Sequence, residues 1–120
     1  TPISNKDTEM TPEAIIQAQV EAYNARDLEA FIGLHSPTAQ LFDLPTSTLI
    51  CEGEQALRER YRKRFENTSP HAEILNRMVH GNRVIDHERI TGMNPNQAVD
   101  AVAIYEIEAK KIQRVWFIFD

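Results

Sequence analysis

A chain of 120 residues with a net charge of −5 excludes an extended basic surface for nucleic acid. Its residues are 42% apolar and 26% charged, which fits one globular domain with one core. No apolar run approaches the roughly 20 residues that span a bilayer, and the single cysteine, Cys51, has no partner for an internal disulfide. The composition therefore predicts a protein of the cytoplasm.

Residues 1–10 are polar, lack the apolar stretch of a signal peptide and predict a flexible N-terminal arm before a single domain over 11–120. Thr11-Pro12-Glu13 starts a helix, with Thr11 as cap, Pro12 in the first turn and an acid beside it. Ile16, Val20, Ala22 and Tyr23 continue its apolar stripe to about Ala25. Asp27 caps a second, short helix carrying Leu28, Phe31 and Ile32, and His35 is placed at its end to favour the helix dipole. Residues Ala39 to Leu44 read as a strand. Gly53 opens a third helix, on which Leu57, Tyr61 and Phe65 recur every four residues.

The back half alternates. Strands are predicted at about 71–80, 83–91, 98–107 and 112–119, joined by Gly81-Asn82, by Met93 to Gln97 and by Ala109-Lys110-Lys111. Such short connections make neighbours antiparallel. Helices followed by a meander predict an α+β domain with helices packed on one face of a curved sheet. Two strands, Val99 to Ile107 and Val115 to Phe119, are apolar on both faces. An outer face carrying Val102, Ile104, Trp116 and Ile118 therefore predicts a homodimer.

The chemistry concentrates in Asn82 to Gly92. Asp86 and Glu88 alternate with Val84 and Ile90, so an inward-facing register buries two carboxylates, and Asp43 is placed to join them. The reversed register would bury Ile85, His87, Arg89 and Thr91, which is more polar at its centre, and the first is preferred. Ala101 and Ala103 are small and leave room for a cavity beside Tyr105. No spacing of His, Cys and acids suggests a metal site, and none suggests a cofactor. The basic run Arg58, Arg60, Arg62, Lys63 and Arg64 is diluted by Glu54, Glu59 and Glu66 and reads as a solvated helix face.

The order of elements, with Asn24-Ala25-Arg26-Asp27-Leu28, the Ala39 to Pro45 strand, Glu52-Gly53 with Ala56-Leu57-Arg58, and Ile112 to Phe119, resembles the ketosteroid-isomerase-like and SnoaL-like proteins. These belong to the nuclear-transport-factor-like superfamily. The resemblance implies a cone-shaped domain, its helices on the concave face of a mostly antiparallel sheet. It also implies that Asp43 occupies the position of the isomerases' general base. Their two oxyanion donors correspond here to Gln19 and Ala103, neither of which supplies that donor. In their place Asp86 or Glu88 becomes a second acid or base, and Gln19, Tyr23 and Tyr105 orient a carbonyl or hydroxyl, with Ala103 and Phe117 lining the same inner face.

The expected function is cofactor-independent acid–base chemistry, of isomerase, cyclase or hydrolase type, on a small apolar carbonyl compound. The alternatives are a non-catalytic ligand-binding or dimerisation domain and a docking surface around Trp116 and Ile118. An enzyme predicts a closed cavity with a perturbed carboxylate. A binding domain tolerates well-paired acids, and a docking domain predicts a filled core.

Overall fold

The computed structural model describes residues 11–119, so the arm expected over 1–10 lies outside the described residues. Helix α1 spans Pro12–Ala25, α2 Leu28–Gly33 and α3 Glu54–Asn67. The strands are β1 (His35–Asp43), β2 (Thr48–Glu52), β3 (His71–His80), β4 (Arg83–Asn94), β5 (Gln97–Glu108) and β6 (Lys111–Phe119). They form one curled, unclosed sheet in the order β2-β1-β6-β5-β4-β3. The meander β3 to β6 is antiparallel throughout, while β1 joins it by running parallel to β6.

The helix starts follow local chemistry. Thr11 Oγ1 accepts from the Ala14 amide at 3.2 Å, and an Asp27 carboxylate oxygen accepts from the Ala30 amide at 3.2 Å. The α1 stripe is buried, with Ile16 at 0% exposure. Asn24 then clamps α1 to β3: its amide donates to the Ala72 carbonyl at 3.0 Å and accepts from the Ala72 amide at 2.7 Å. Both backbone groups at the start of β3 are thereby satisfied by one side chain.

Two elements differ from expectation. Strand β1 begins at His35, four residues early, and β2 is a short edge strand carrying the exposed Leu49, too brief for alternation to reveal. His35 does not serve the helix dipole as a cation. It is buried against Phe31 with ring centroids 4.8 Å apart, and its Nδ1 lies 2.8 Å from the Phe31 carbonyl. Burial pulls its pKa down to about 4, so the ring is neutral at pH 7 and Nδ1–H donates to that carbonyl.

The helices cover the inner face of the sheet, α1 against β3 and β4 and α3 against β1 and β2. At their junction Tyr23, Phe31, Tyr61 and Phe65 form an aromatic cluster with centroid separations from 4.5 to 6.3 Å. The chain leaving α3 passes so close to β4 that a Cβ on Gly92 would sit 1.9 Å from the Ser69 carbonyl oxygen, and Gly92 also has φ of +83°. On the outer face Phe42 and Trp116 stack at 5.8 Å, and Trp116 lies opposite Ile104 across the β5–β6 ladder.

Candidate active site

Strand β4 settles which way its acids face. Val84, Asp86, Glu88 and Ile90 are buried on the inner side, whereas Arg89 and Thr91 are exposed. His87 lies on the outer side with Nε2 at 2.9 Å from an Asp100 carboxylate oxygen. The two inward acids then diverge, because a bulge around Leu75 shifts the β3–β4 register and places Arg77 opposite Asp86.

Asp86 is completely buried and fully engaged. The Arg77 guanidinium donates to it twice, Nε to Oδ1 at 2.6 Å and a terminal nitrogen to Oδ2 at 2.9 Å. Arg77 is held in turn by the Gln17 side-chain oxygen at 3.0 Å. Asp86 is thus paired in place, and its charge acts on the neighbouring Glu88.

Glu88, two residues along, has 6% exposure, and its carboxyl makes no hydrogen bond among the described residues. It faces a cavity of about 30 Å³ lined by Gln19, Tyr23, Tyr61, Arg64 and Tyr105, with Ala72, Ile90 and Val20 completing the wall. Burial, then the charge of Asp86, pushes its carboxyl up to about 7, against the opposing pull of Arg77 and Arg64. A carboxyl poised there is both a competent acid and a competent base at neutral pH.

The phenols around it stay protonated. Tyr23 is raised to about 12, chiefly by burial, with the Arg64 guanidinium opposing, and its hydroxyl donates to the Met93 sulfur at 3.7 Å. Burial also raises Tyr61 and raises Tyr105 well above the ordinary phenol value, and the charge of Glu88 adds to both. Gln19 Oε1 is buried without a hydrogen-bond partner. An acceptor left bare in an interior is costly unless water or a ligand donates to it, and a space of about 30 Å³ holds one or two waters.

The structure therefore brings together Glu88, Gln19, Tyr23 and Tyr105 of the residues expected from sequence, and separates the others. Asp43 lies at the end of β1, where its carboxylate accepts from the Thr46 amide at 3.2 Å and the Thr46 hydroxyl at 2.5 Å. It holds the β1–β2 turn and does not line the cavity. Ala103 is fully buried between Asp86 and Phe117 in the sheet, and Phe117 stacks on Phe119 at 5.4 Å; neither lines the cavity. The room expected beside Tyr105 is mostly filled by the aromatic cluster.

Sequence reasoning assigned Tyr61 to the core and Arg64 to a solvated face. Both line the cavity, with the Arg64 guanidinium 5.2 Å from the centre of the Tyr61 ring. The available signal was that Arg64 follows Tyr61 by three residues on α3, a spacing that shares its side of the helix. Arg64 also lines a second, open space. This groove of about 660 Å³ runs between α3, β2 and the end of β4 and includes Ile50, Cys51, Ala56, Arg60 and Met93. Among the described residues no group of three His, Cys, Asp or Glu side chains is arranged to hold a metal, and no helix is long and apolar enough to cross a membrane.

The SnoaL-like domain model matches residues 16–115. No curated protein matches the sequence significantly. Solved structures do. An uncharacterised cystatin-fold protein from Novosphingobium aromaticivorans superposes with a TM-score of 0.81 at 25% identity, over 90% of this chain and 97% of its own. A candidate ketosteroid isomerase from Kribbella flavida gives 0.80 at 15% identity, over 91% and 77% respectively. An NTF2-like protein of unknown function from Cytophaga hutchinsonii gives 0.74 at 19% identity, over 92% and 90%.

Proposed function

The chain belongs to the SnoaL-like domain family, and from that premise we propose that it is a cofactor-independent enzyme that moves a proton on a small carbonyl compound, with Glu88 as the acid–base group. The observation that carries this reading is the Glu88 carboxyl: buried, without a hydrogen-bond partner among the described residues, facing a cavity, and raised to about 7. Its carboxylate takes a proton from the carbon beside the carbonyl and returns it at a conjugated position. The Tyr105 and Tyr23 hydroxyls and the Gln19 side-chain amide are the neutral donors available to the developing oxyanion. Burial, and then the charge of the neighbouring Asp86 in its pair with Arg77, keeps Glu88 basic enough to act.

A cavity of about 30 Å³ admits water and not a substrate. Turnover therefore requires the cavity to join the neighbouring groove, and Arg64, which lines both, is the side chain whose displacement joins them. The test is deuterium wash-in from D₂O into the α carbon of cyclohex-3-enone. Wild type is expected to accelerate exchange and the Glu88→Gln variant to lose at least about a hundredfold; equal exchange in both would remove Glu88 from the mechanism.

A second reading has its own support. The full pairing of Asp86 and the near-filled interior favour a non-catalytic ligand-binding or dimerisation domain of the same fold. In either case the apolar outer face formed by Val102, Ile104, Trp116 and Ile118 is proposed to pair with a second copy. A free Cys51 suits the reducing cytoplasm.

A further inference from the structure

The basic run of α3 divides in two. Arg58 pairs with Glu29 and Glu54, and Arg62 pairs with Glu59 at 2.6 Å and Glu66 at 2.9 Å, so these two are balanced on the solvated side. Arg60 and Arg64, four residues apart, pair with no carboxylate among the described residues. Both line the open groove, together with Lys63. The one acid there, Glu59, is engaged by Arg62 and, at 3.8 Å, by Lys63. Arg60 Nε is buried and has no hydrogen-bond partner. In a protein of net charge −5, the groove thus gathers cationic donors that the chain leaves unanswered. The rest of its wall combines the apolar Ile50, Cys51, Ala56 and Met93 with the uncharged polar Asn67, Thr68 and Asn94.

We propose that this groove is the binding site for a small organic carboxylate with an apolar body, its carboxylate held between Arg60 and Arg64. Two guanidiniums offer planar, paired donors to a carboxylate, a geometry that lysine cannot provide. The groove volume of about 660 Å³ lies within the range that takes a small organic ligand. The site deepens the proposed function, on which it rests for its meaning. It makes the preferred substrate a carbonyl compound carrying a carboxylate, with neutral carbonyl compounds as slower ones. The anion draws Arg64 toward the groove, and the other end of the molecule enters the space that Arg64 vacates beside Glu88.

The test is titration calorimetry with octanoate and its neutral counterpart octanamide on the full chain. Octanoate is expected to bind about tenfold or more tighter than octanamide, and to weaken several-fold as KCl rises from low to physiological strength. Arg60→Gln and Arg64→Gln are each expected to erase the preference for the anion, whereas Arg58→Gln, whose partners Glu29 and Glu54 lie outside the groove, is expected to keep it. Equal binding of the two probes, or an undiminished preference in Arg60→Gln and Arg64→Gln, overturns the proposal. Because the readout is binding and not turnover, octanoate bound by Glu88→Gln as by wild type leaves this site standing even where deuterium exchange fails.

Discussion

Replacing Glu88 by Gln should stabilise the protein at alkaline pH and do less for it at acid pH. In the folded state the carboxyl titrates at about 7, against 4.5 as the ordinary value. At about 1.4 kcal/mol per pH unit, the interval corresponds to about 3 kcal/mol. The sign follows from proton binding. Between pH 4.5 and 7 the folded chain holds a proton on Glu88 that the unfolded chain has released, so rising pH draws the protein toward the unfolded state. The contribution of Glu88 is complete below pH 4.5 and is lost as pH rises through 7. His35 works in the opposite direction. Its folded pKa of about 4 lies below the ordinary 6.5, so its contribution grows as pH rises from 4 to 6.5. The two slopes oppose one another in wild type, which hides each of them. In the Glu88→Gln variant the His35 slope stands alone. Urea denaturation of both proteins at pH 4.5 and pH 8.5 gives the test. The stability difference, variant minus wild type, should increase by about 3 kcal/mol between those conditions. Gln differs from Glu in packing and hydrogen bonding as well, but those differences do not depend on pH and leave the change unaffected. A difference that stays constant across this range would mean that Glu88 titrates like a free side chain and that its site is wet.

Other substitutions test the supports of the site. Arg77→Met leaves Asp86 charged, fully buried and unpaired, and is expected to cost about 3–5 kcal/mol in urea denaturation, most of it recovered when Asp86→Leu is added. Asn24→Ala removes both hydrogen bonds to Ala72 and should cost about 2–3 kcal/mol, with faster amide exchange at the start of β3. Trp116→Glu places a charge in the outer apolar face and is expected to give monomers on size-exclusion chromatography; an unchanged dimer would show that the copies pair elsewhere.

How much of this was legible in the residues varied with the range of the interaction. The caps at Thr11 and Asp27 and the meander turns depend on neighbours a few positions away, and local chemistry predicted them. The inward placement of Asp86 and Glu88 followed from alternation with Val84 and Ile90, because burying apolar side chains fixes the face of a strand. The different fates of those two acids were not legible. They turn on the bulge at Leu75, which sets Arg77 opposite Asp86 and leaves Glu88 without a cation of its own. The Asp43-Leu44-Pro45 segment allowed either a base or a turn holder, and the hydrogen bonds from Thr46 commit the carboxylate to the turn. Cavity size escaped prediction for a similar reason. The space beside Tyr105 is walled by Tyr23 and Tyr61 from two different helices, so its size of about 30 Å³ depends on how those helices cross.

The central claim is that one inward carboxyl is paired and the other is held near neutrality. A carbon-detected NMR titration of the side-chain carboxyls, with Glu88 assigned from the signal missing in Glu88→Gln, measures it directly. A Glu88 midpoint near 7 is the predicted result, and a midpoint near 4.5 would contradict the account.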